Sequence, residues 1–477
     1  MMRRLGEFAL DCGGVLHGAD AAFSAVGTDT RSLRRGELFV ALRGPRFDGA
    51  AFVAQALAAG AAGAVVEAAA VPALLAPQGA ARSAGGAVLP LIAVTDTQLA
   101  LQQAAQRWRQ RFTIPVVGVA GSNGKTTCKE MLAAILAQAG SVLATRGNLN
   151  NHIGVPLTLL GLEAGHRHAV IELGANRAGD VAELTRLALP GIGIVTNAGA
   201  EHLEGFGSLE GVARAEGELF AGLEADGIAV VNADDAFAPL WRGMTAARIV
   251  TFGLDRSADF HALDVTTSVG AEGFLTRFTL VSPGGRIAIA LRLAGLHNVG
   301  NALGAAAAAV CAGATLEQVA AGLGAMRSVP GRLNFRTARS GAWVIDDAYN
   351  ANPSSMHAGI DVLAGLDGRR WLVIGDMAEL GEFAADAHAE LGDYARARGI
   401  ERLYATGTLA GIAVERFGAG ARWFPDGESL ARTLETELEA GVRVLVKGSR
   451  MNRLERVVEA IAPATPAGGG TPTTQVK

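Results

Sequence analysis

The sequence predicts an α/β protein of three domains. Its 477 residues are enough for three domains of about 150 residues each, and 50% of them are hydrophobic, so each domain can bury a core. Short apolar runs of strand length alternate with helix-like segments along most of the chain. That alternation is typical of parallel sheets whose strands are joined by crossover helices.

The first domain is predicted at residues 1–111, as a small α/β unit. A loose connection is expected over residues 71–89, where prolines and glycines accumulate. The helix that follows should be capped by Thr97 and run to Arg111. Strands are predicted over residues 38–42, 63–66 and 91–94.

The central domain is predicted at residues 112–331. A hairpin over residues 274–291 should place antiparallel strands at the flank of a parallel sheet. The uncharged run over residues 293–316 contains His297 and Asn298, so it predicts a buried helix rather than a membrane span. Parallel strands are predicted over residues 116–120, 169–173, 192–196 and 228–232, with helices over 125–138, 179–189 and 209–223.

The third domain is predicted at residues 332–462, with the alternating pattern of a Rossmann-like, doubly wound sheet. The remaining residues, 463–477, are rich in proline, glycine and threonine, which predicts a disordered tail. Strands of the third domain are predicted over residues 343–345, 371–374, 403–405 and 442–446.

Charge and cysteine content exclude several classes of protein. The 42 basic and 46 acidic residues give a net charge of −4, and aromatic residues make up 5% of the chain. A nucleic-acid-binding protein would need clustered positive charge or an aromatic stacking surface. Cys12, Cys128 and Cys311 are too far apart for a disulfide framework or a zinc site, and they fit a reducing, cytoplasmic setting.

The strongest local signal lies between a predicted strand and a predicted helix. Glycines there would let backbone N–H groups approach phosphate oxygens, and the helix N-terminus adds positive potential. Lys125 would reach the β- and γ-phosphates, and Thr126 would place its hydroxyl on Mg²⁺. The usual phosphate-loop pattern begins with a glycine, where this chain has Val119. The segment is Gly121-Ser122-Asn123-Gly124-Lys125-Thr126-Thr127.

Other polar residues follow the predicted core strands. Glu172 ends one strand, so its carboxylate should point into the ligand crevice and hold Mg²⁺ or orient water. His202 follows the next strand; a lone histidine usually packs or lies at the surface, but beside a nucleotide it becomes a candidate metal ligand. Asn148, Asn150 and Asn151 either form a turn or bind polar substrate oxygens.

These motifs, in this order, resemble those of the Mur ligase family, the ATP-dependent amino-acid and peptide ligases of peptidoglycan synthesis. The match extends along almost the whole chain and includes the phosphate loop that lacks its first glycine. The other motifs that carry the resemblance lie at residues 29–31, 148–156, 171–176, 202–207, 296–301, 330–332, 346–353 and 375–381.

The resemblance implies an N-terminal UDP-binding domain, a central ATPase-like domain and a C-terminal Rossmann-like domain. It also implies an ADP-forming ligase that joins D-alanyl-D-alanine to UDP-N-acetylmuramoyl-tripeptide through an acyl phosphate, with ATP and Mg²⁺ as cofactors. The product would be the pentapeptide precursor of the cell wall, needed for cell shape and division. The enzyme would act on small molecules, as a cytoplasmic monomer, without nucleic acid and without membrane insertion.

The resemblance also assigns a role to each matching residue. Residues 121–127 would bind the ATP phosphates, and Glu172 and His202 would complete the coordination of Mg²⁺ by Thr126. Asn298 would lie against adenine, Arg332 near the phosphates and Asp347 near the ribose. The segment Lys447-Gly448-Ser449-Arg450, at the end of the last strand, could meet the carboxylate of the incoming dipeptide, a role that its positive charge suits. Substrate binding is expected for Thr30, Arg31, Phe47, Asp48, Asn148, Asn150, Asn151, Asn350, Asn352, Lys447 and Ser449.

One position departs from the family pattern. Many members carry a lysine in the helix after the histidine loop, and its carbamate supplies a carboxylate to a second Mg²⁺. This chain has Glu216 there, and two readings stay open: Glu216 supplies the carboxylate directly, or it is a solvated helix residue. Lysine is rare in this chain. Only four of the 42 basic residues are lysine: Lys125, Lys129, Lys447 and Lys477.

Three other functions are considered beside the main one. A sibling ligase that adds a single diamino acid would carry a D-N-P-R element in its third domain, which this sequence lacks. A folylpolyglutamate synthase would not need the motif at residues 29–31. A non-catalytic nucleotide-binding regulator would have little reason to keep this set of residues together: Glu172, His202, Asn298, Arg332 and Asp347.

Overall fold

Three sheets of five or six strands divide the molecule into three units, as expected for a three-domain α/β fold. The computed structural model describes residues 3–44, 47–82, 88–201, 203–255, 257–270 and 273–463. Among these residues, no helix combines the length and the apolar character that crossing a bilayer requires.

The first unit is built on a five-stranded sheet in the order β2-β9-β8-β5-β4, in which only β2 is antiparallel to its neighbour. The strands of the whole first unit, inside and outside this sheet, are β1 (Arg3–Arg4), β2 (Val15–His17), β3 (Ala22–Phe23), β4 (Val26–Gly27), β5 (Leu38–Val40), β6 (Arg43–Gly44), β7 (Phe47–Asp48), β8 (Gly63–Glu67) and β9 (Leu91–Val94). Its helices are α1 (Leu5–Cys12), α2 (Val53–Ala58), α3 (Val71–Leu75) and α4 (Thr97–Arg109), with 3₁₀ turns at Gly49–Phe52 and Ala68–Ala70.

Helix α4 joins the first unit to the central one through buried side chains. The Trp108 indole N–H donates to the Leu162 carbonyl at 3.1 Å. The Arg109 guanidinium donates to the carbonyls of Ala188 and Leu189 at 2.9 and 3.0 Å, at the end of a central-unit helix. The two bonds from Arg109 satisfy carbonyls that a helix end leaves without partners, and one cluster of buried apolar side chains runs through both units.

The central unit is built on a wholly parallel six-stranded sheet in the order β11-β12-β10-β13-β14-β15. The strands are β10 (Val116–Ala120), β11 (Val142–Ala144), β12 (His168–Glu172), β13 (Ile192–Val195), β14 (Ile228–Asn232) and β15 (Arg248–Phe252). The helices are α5 (Lys125–Leu136), α6 (Gly154–Leu159), α7 (Asp180–Ala188), α8 (Leu203–Phe206), α9 (Leu209–Ala221), α10 (Ala238–Gly243), α11 (Leu296–Cys311) and α12 (Leu316–Ala325). Every residue of β10 and β12 is buried, which explains the continuous apolar run of β10 and the apolar centre of β12 at residues 169–171.

The predicted hairpin is present, but it belongs to a separate antiparallel sheet of three strands beside the parallel one. These strands are β16 (His261–Gly270), β17 (Gly273–Ser282) and β18 (Gly285–Leu291). The uncharged run after them forms α11, most of whose residues are buried, so the predicted buried helix is confirmed.

The third unit has a six-stranded sheet in the order β19-β20-β24-β21-β22-β23, parallel except for β19. The strands are β19 (Asn334–Thr337), β20 (Trp343–Asp347), β21 (Arg369–Ile374), β22 (Arg402–Thr406), β23 (Ala421–Phe424) and β24 (Val442–Lys447). The helices are α13 (Pro353–Ala364), α14 (Ala384–Ala397), α15 (Ala410–Phe417), α16 (Gly427–Glu437) and α17 (Glu455–Ile461), with 3₁₀ turns at Gly381–Phe383 and Arg450–Asn452.

Two local expectations are wrong. Helix α4 is capped by Asp96 rather than Thr97, because the Asp96 carboxylate accepts the N–H groups of Gln98 and Leu99. The loose connection contains helix α3, because Pro72 lies in its first turn, where proline is tolerated. Beyond residue 463, the predicted tail lies outside the described residues.

Candidate active site

Two adjoining cavities lie where the central unit meets the third. One has a volume of about 360 Å³ and the other of about 510 Å³. Asn123 and Gly124 of the phosphate loop line both, and so do Asp347 and Lys447 of the third unit. Each sheet therefore directs its carboxyl edge at the same space, the usual position of a ligand site in open α/β sheets.

The phosphate loop requires glycine at two points. Gly121 has a φ of +119° and Gly124 a φ of +82°. A Cβ added at Gly121 would lie 2.2 Å from the Thr196 hydroxyl, and one added at Gly124 would lie 2.4 Å from Asn301 Oδ1. Helix α5 starts directly after Gly124, so its first N–H groups face the cavity without intrahelical partners. This is the geometry that binds phosphate.

Lys125 folds back along the loop instead of pointing into solvent. Its ammonium donates to the carbonyls of Gly121 and Ser122, and it pairs with Glu201 at 3.1 Å. Burial lowers the pKa of the Lys125 ammonium, but the carboxylates of Glu201 and Glu216 outweigh that effect, so the pKa ends above its usual value. The residue therefore keeps its positive charge beside the loop.

Glu216 lies behind the phosphate loop and is fully buried. Its Oε2 accepts the Gly121 N–H at 2.6 Å, while Oε1 is buried without a hydrogen-bond partner among the described residues. Burial raises the pKa of the Glu216 carboxyl, against the opposing effects of Lys125 and the Gly121 N–H. Of the two readings left open by the sequence, the solvated helix residue is therefore wrong.

Glu172 presents a second incompletely paired carboxylate. It is only 2% exposed. Its Oε1 accepts the Thr126 hydroxyl at 3.2 Å and the Asn150 amide at 2.9 Å, whereas its Oε2 is buried without a partner in the described part of the chain. His202 is outside the described residues.

A buried lysine supports the strand that carries Glu172. Lys129 is fully buried one helical turn after Lys125, and its ammonium donates to the Thr145 carbonyl at 2.8 Å and to Glu130 at 2.6 Å. The Thr145 hydroxyl in turn accepts the Glu172 N–H at 2.9 Å. Lys129 therefore connects helix α5, through Thr145, to the strand that carries Glu172.

Three hydrogen bonds tie the third unit directly to the phosphate loop. Arg332 donates to the Thr126 hydroxyl at 3.0 Å. The Asn352 amide donates to Asn123 Oδ1 at 2.8 Å, and the Asn123 amide donates to the Ser354 hydroxyl at 3.0 Å. The third unit and the phosphate loop are therefore held together by side-chain hydrogen bonds.

Asp347 and Lys447 form a buried ion pair of 2.7 Å between β20 and β24. The Asp347 carboxylate also accepts the Leu333 N–H, and the Lys447 ammonium donates to the Asn350 carbonyl. The Lys447 side chain is 5% exposed, so most of its donors are already engaged by the protein.

The remaining predicted residues fall into three places. Asn298 lines the smaller cavity, and its amide donates to the Ala294 carbonyl at 2.7 Å. Lining the larger cavity are Asn148, Asn150, Asn151, Asn350, Asn352 and Ser449. Away from both cavities, in the first unit, are Thr30, Arg31, Phe47 and Asp48.

Other residues of the larger cavity received no individual role from the sequence, among them Glu201, Tyr349 and Glu379. Glu201 follows strand β13, so its place at the carboxyl edge of the sheet was a usable signal. Arg450 belongs to the segment that the resemblance placed at the dipeptide carboxylate, and the structure puts its guanidinium 5.7 Å from the centroid of the Tyr349 ring.

The fold and the site define an α/β nucleotide-binding enzyme whose phosphate loop faces a further domain. Comparison with known families matches three segments in order: the Mur ligase family catalytic domain at residues 22–109, the Mur ligase middle domain at 119–309, and the Mur ligase glutamate ligase domain at 331–450. The chain belongs to the Mur ligase family.

Individual relatives agree along the full chain. The UDP-N-acetylmuramoyl-tripeptide–D-alanyl-D-alanine ligase of Escherichia coli is 43% identical over 453 residues, which cover 94% of this chain and 96% of that protein. The structure of MurF from Acinetobacter baumannii is similar with a TM-score of 0.86 and 32% identity, over 97% of this chain and 99% of that one. MurF ligase from Thermotoga maritima in complex with ADP has a TM-score of 0.77 and 29% identity, over 92% and 96% of the two chains.

Replacing Gly124 with alanine should weaken nucleotide binding. The added Cβ would meet Asn301, and the positive φ is itself unfavourable for alanine. We expect Kd for ADP to rise at least about tenfold, or 1.4 kcal/mol, by titration calorimetry. Gly179→Ala is the matched control, because Gly179 has a φ of +90° and nothing within 4 Å of its added Cβ. Equal nucleotide affinity in both variants would contradict this role for Gly124.

Proposed function

We propose that this protein uses ATP to join D-alanyl-D-alanine to UDP-N-acetylmuramoyl-tripeptide, giving the pentapeptide, ADP and phosphate for peptidoglycan synthesis. The names of the relatives at 43% and 38% identity over nine-tenths of the chain support the substrates. The single observation that carries the proposal is the meeting of the phosphate loop and the third unit around one cavity of about 510 Å³. A nucleotide and a second substrate can meet only in such a space.

The loop supports a role in holding the ATP phosphates. Its glycines admit close approach, helix α5 directs N–H groups at the ligand, and Lys125 stays charged beside them. Arg332, bonded to Thr126, would add a second positive charge. We assign the phosphates to Gly121, Ser122, Asn123, Gly124, Lys125, Thr126 and Thr127, adenine to Asn298, and the ribose side to Asp347.

The residues present also fit Mg²⁺. Glu172 and Glu216 each hold a buried carboxylate oxygen that has no hydrogen-bond partner in the described part of the chain. A hard cation prefers such oxygens, and Thr126 already lies against Glu172. We assign the metal to Thr126, Glu172, Glu216 and His202, the last on the sequence alone. When bound, Mg²⁺ would neutralise the phosphate oxygens that a substrate carboxylate has to approach.

The chain's own groups then favour two successive steps. Lys125 and Arg332 offset the repulsion between the anionic carboxylate of the tripeptide and the γ-phosphate of ATP, so the carboxylate attacks phosphorus and ADP leaves. The amine of D-alanyl-D-alanine attacks the resulting acyl phosphate, and inorganic phosphate leaves. The cavity between the two units holds both reactants in one place, which replaces a bimolecular encounter by a positioned one.

We propose that the substrates divide among three domains at residues 1–111, 112–331 and 332–462. The first would bind the UDP moiety through Thr30, Arg31, Phe47 and Asp48. Asn148, Asn150 and Asn151 would meet the peptide end, and Asn350, Asn352, Lys447 and Ser449 would shape the dipeptide pocket. Because one chain supplies every assigned group and all substrates are small molecules, the enzyme is proposed to act as a cytoplasmic monomer.

Phosphate release tests the function. We expect release with ATP, Mg²⁺ and UDP-N-acetylmuramoyl-tripeptide only when D-alanyl-D-alanine is added, with a product heavier by that dipeptide in mass spectrometry. Release with a single amino acid and a shorter UDP-peptide would instead indicate a sibling ligase. Nucleotide binding without release for any acceptor would indicate a non-catalytic regulator.

Glu216→Gln tests the proposed metal carboxylate. The amide oxygen can still accept the Gly121 N–H, so the loop should keep its shape while the negative charge is lost. We expect the Mg²⁺ concentration for half-maximal ligation to rise at least about tenfold. Glu218→Gln, on the same helix but bonded to the N–H groups of Gly179 and Ala182, is the control. An unchanged Mg²⁺ dependence in Glu216→Gln would refute the assignment.

A further inference from the structure

A histidine that the proposed steps do not use lies completely buried in the third unit. His388 belongs to helix α14, is 0% exposed and is absent from the described linings of both cavities. Burying an imidazole is unfavourable unless its ring nitrogens find hydrogen-bond partners. Nε2 lies 3.0 Å from the Met377 nitrogen, and Nδ1 lies 2.6 Å from the Ala384 carbonyl oxygen. The ring therefore joins the start of its own helix to the loop that precedes it.

These two bonds determine the protonation state of His388. A backbone N–H can only donate, so Nε2 accepts the Met377 N–H and carries no proton. Nδ1 then carries the proton and donates to the Ala384 carbonyl. Burial lowers the pKa of the His388 imidazole, against the opposing effects of the Ala384 carbonyl and the Asp376 carboxylate, which keeps the ring neutral. In this form His388 is a fixed acceptor for the loop.

The loop that His388 holds runs from strand β21 to helix α14 and comprises residues 375–383. Met377 is 1% exposed, so solvent offers its N–H no substitute acceptor. The next two residues, Ala378 and Glu379, line the larger cavity. All residues of the 375–383 loop are described, and none of them lines the smaller cavity. The loop therefore belongs to the third-unit wall of the larger cavity.

The conformation of the 375–383 loop needs support from its surroundings. Glu379 has a φ of +64°, in the left-handed region that a residue with a side chain adopts only under constraint. A Cβ added at Gly381 would lie 3.7 Å from Glu204 Cβ, so the loop also passes close to helix α8 of the central unit. A backbone in an unfavourable conformation keeps it only while neighbouring bonds hold it there.

Three consecutive residues of the loop are held by side chains. The Asp376 carboxylate anchors the first, because it accepts three N–H groups at 2.7–3.0 Å, those of Thr408, Leu409 and Ala410. His388 holds the second through the Met377 N–H. The Ser449 hydroxyl accepts the N–H of the third, Ala378, at 2.9 Å. Ser449 lines the larger cavity, whereas His388 acts on the loop from the core.

We infer that His388 is a positioning residue for the amine substrate: through the Met377 N–H, it holds Ala378 and Glu379 at the cavity wall that receives the dipeptide. The inference rests on the proposed function, which assigns the dipeptide to the third unit. His388 itself does not touch substrate. Its effect should be confined to the dipeptide, because the phosphate loop and the smaller cavity hold the nucleotide without any residue of the 375–383 loop.

Two substitutions separate the two bonds of His388. In His388→Gln, the amide can place an oxygen near the position of Nε2 and still accept the Met377 N–H. In His388→Asn, the shorter amide can donate to the Ala384 carbonyl but leaves the buried Met377 N–H without an acceptor. We expect KM for D-alanyl-D-alanine to rise about tenfold in His388→Asn and to stay at the wild-type value in His388→Gln. The kcat and the KM values for ATP and UDP-N-acetylmuramoyl-tripeptide should stay unchanged in both.

His168→Asn is the matched control. His168 is a second buried histidine, 9% exposed, at the start of strand β12, and its ring bonds the Ala312 backbone. This variant should lower the melting temperature without changing KM for the dipeptide. If His388→Asn does not fold, His388→Met takes its place, because methionine fills the core without supplying an acceptor.

Equal KM values for the dipeptide in the two His388 variants would overturn the inference, whether both match wild type or both are impaired. A rise in KM for ATP or for the UDP-tripeptide, with the dipeptide unaffected, would also overturn it. A lowered melting temperature with every kinetic parameter impaired would make His388 structural only. Wild-type ligation in the same assay reports separately on the proposed function.

Discussion

The active site depends on a carboxylate buried behind the phosphate loop. Glu216 is fully buried and accepts the N–H of Gly121, the residue whose positive φ starts the loop. Isolating a carboxylate from water costs several kcal/mol, and among the described residues the Gly121 N–H and the nearby Lys125 ammonium offset that cost. The loop, its lysine and this carboxylate therefore form one electrostatic network.

The contacts of the phosphate loop also explain why the third domain matters for the chemistry of the nucleotide. Asn352 and Ser354 contact Asn123 of the loop, and Arg332 contacts Thr126. The domain that is proposed to bring the dipeptide thus also completes the wall around the phosphates. A site shared in this way couples the arrival of the second substrate to the arrangement of the first.

Much of the fold follows from sequence because its signals are local. Strand β10 matches its predicted bounds, since a fully buried parallel strand is a continuous apolar run that ends at glycine. The phosphate loop was recognisable for the same reason. Strand β16 could not be recognised from the sequence, because its exposed, largely polar residues lack the pattern of a buried strand.

The features of the active site that could not be predicted from the sequence depend on contacts between residues that are distant in the chain. The bond between Gly121 and Glu216 joins residues 95 apart in the chain, and nothing near Glu216 signals complete burial. Arg332 and Thr126 are 206 residues apart. Sequence alone suggested Lys447 for the dipeptide carboxylate, but only the structure reveals that Asp347 already pairs with it.

An isotope transfer tests most directly whether these charges serve the activation of a carboxylate by ATP. UDP-N-acetylmuramoyl-tripeptide is labelled with ¹⁸O in its terminal carboxylate and ligated to D-alanyl-D-alanine, and the released phosphate is analysed by mass spectrometry. An acyl-phosphate route predicts that one labelled oxygen appears in each inorganic phosphate. Phosphate released without label during productive ligation would contradict it.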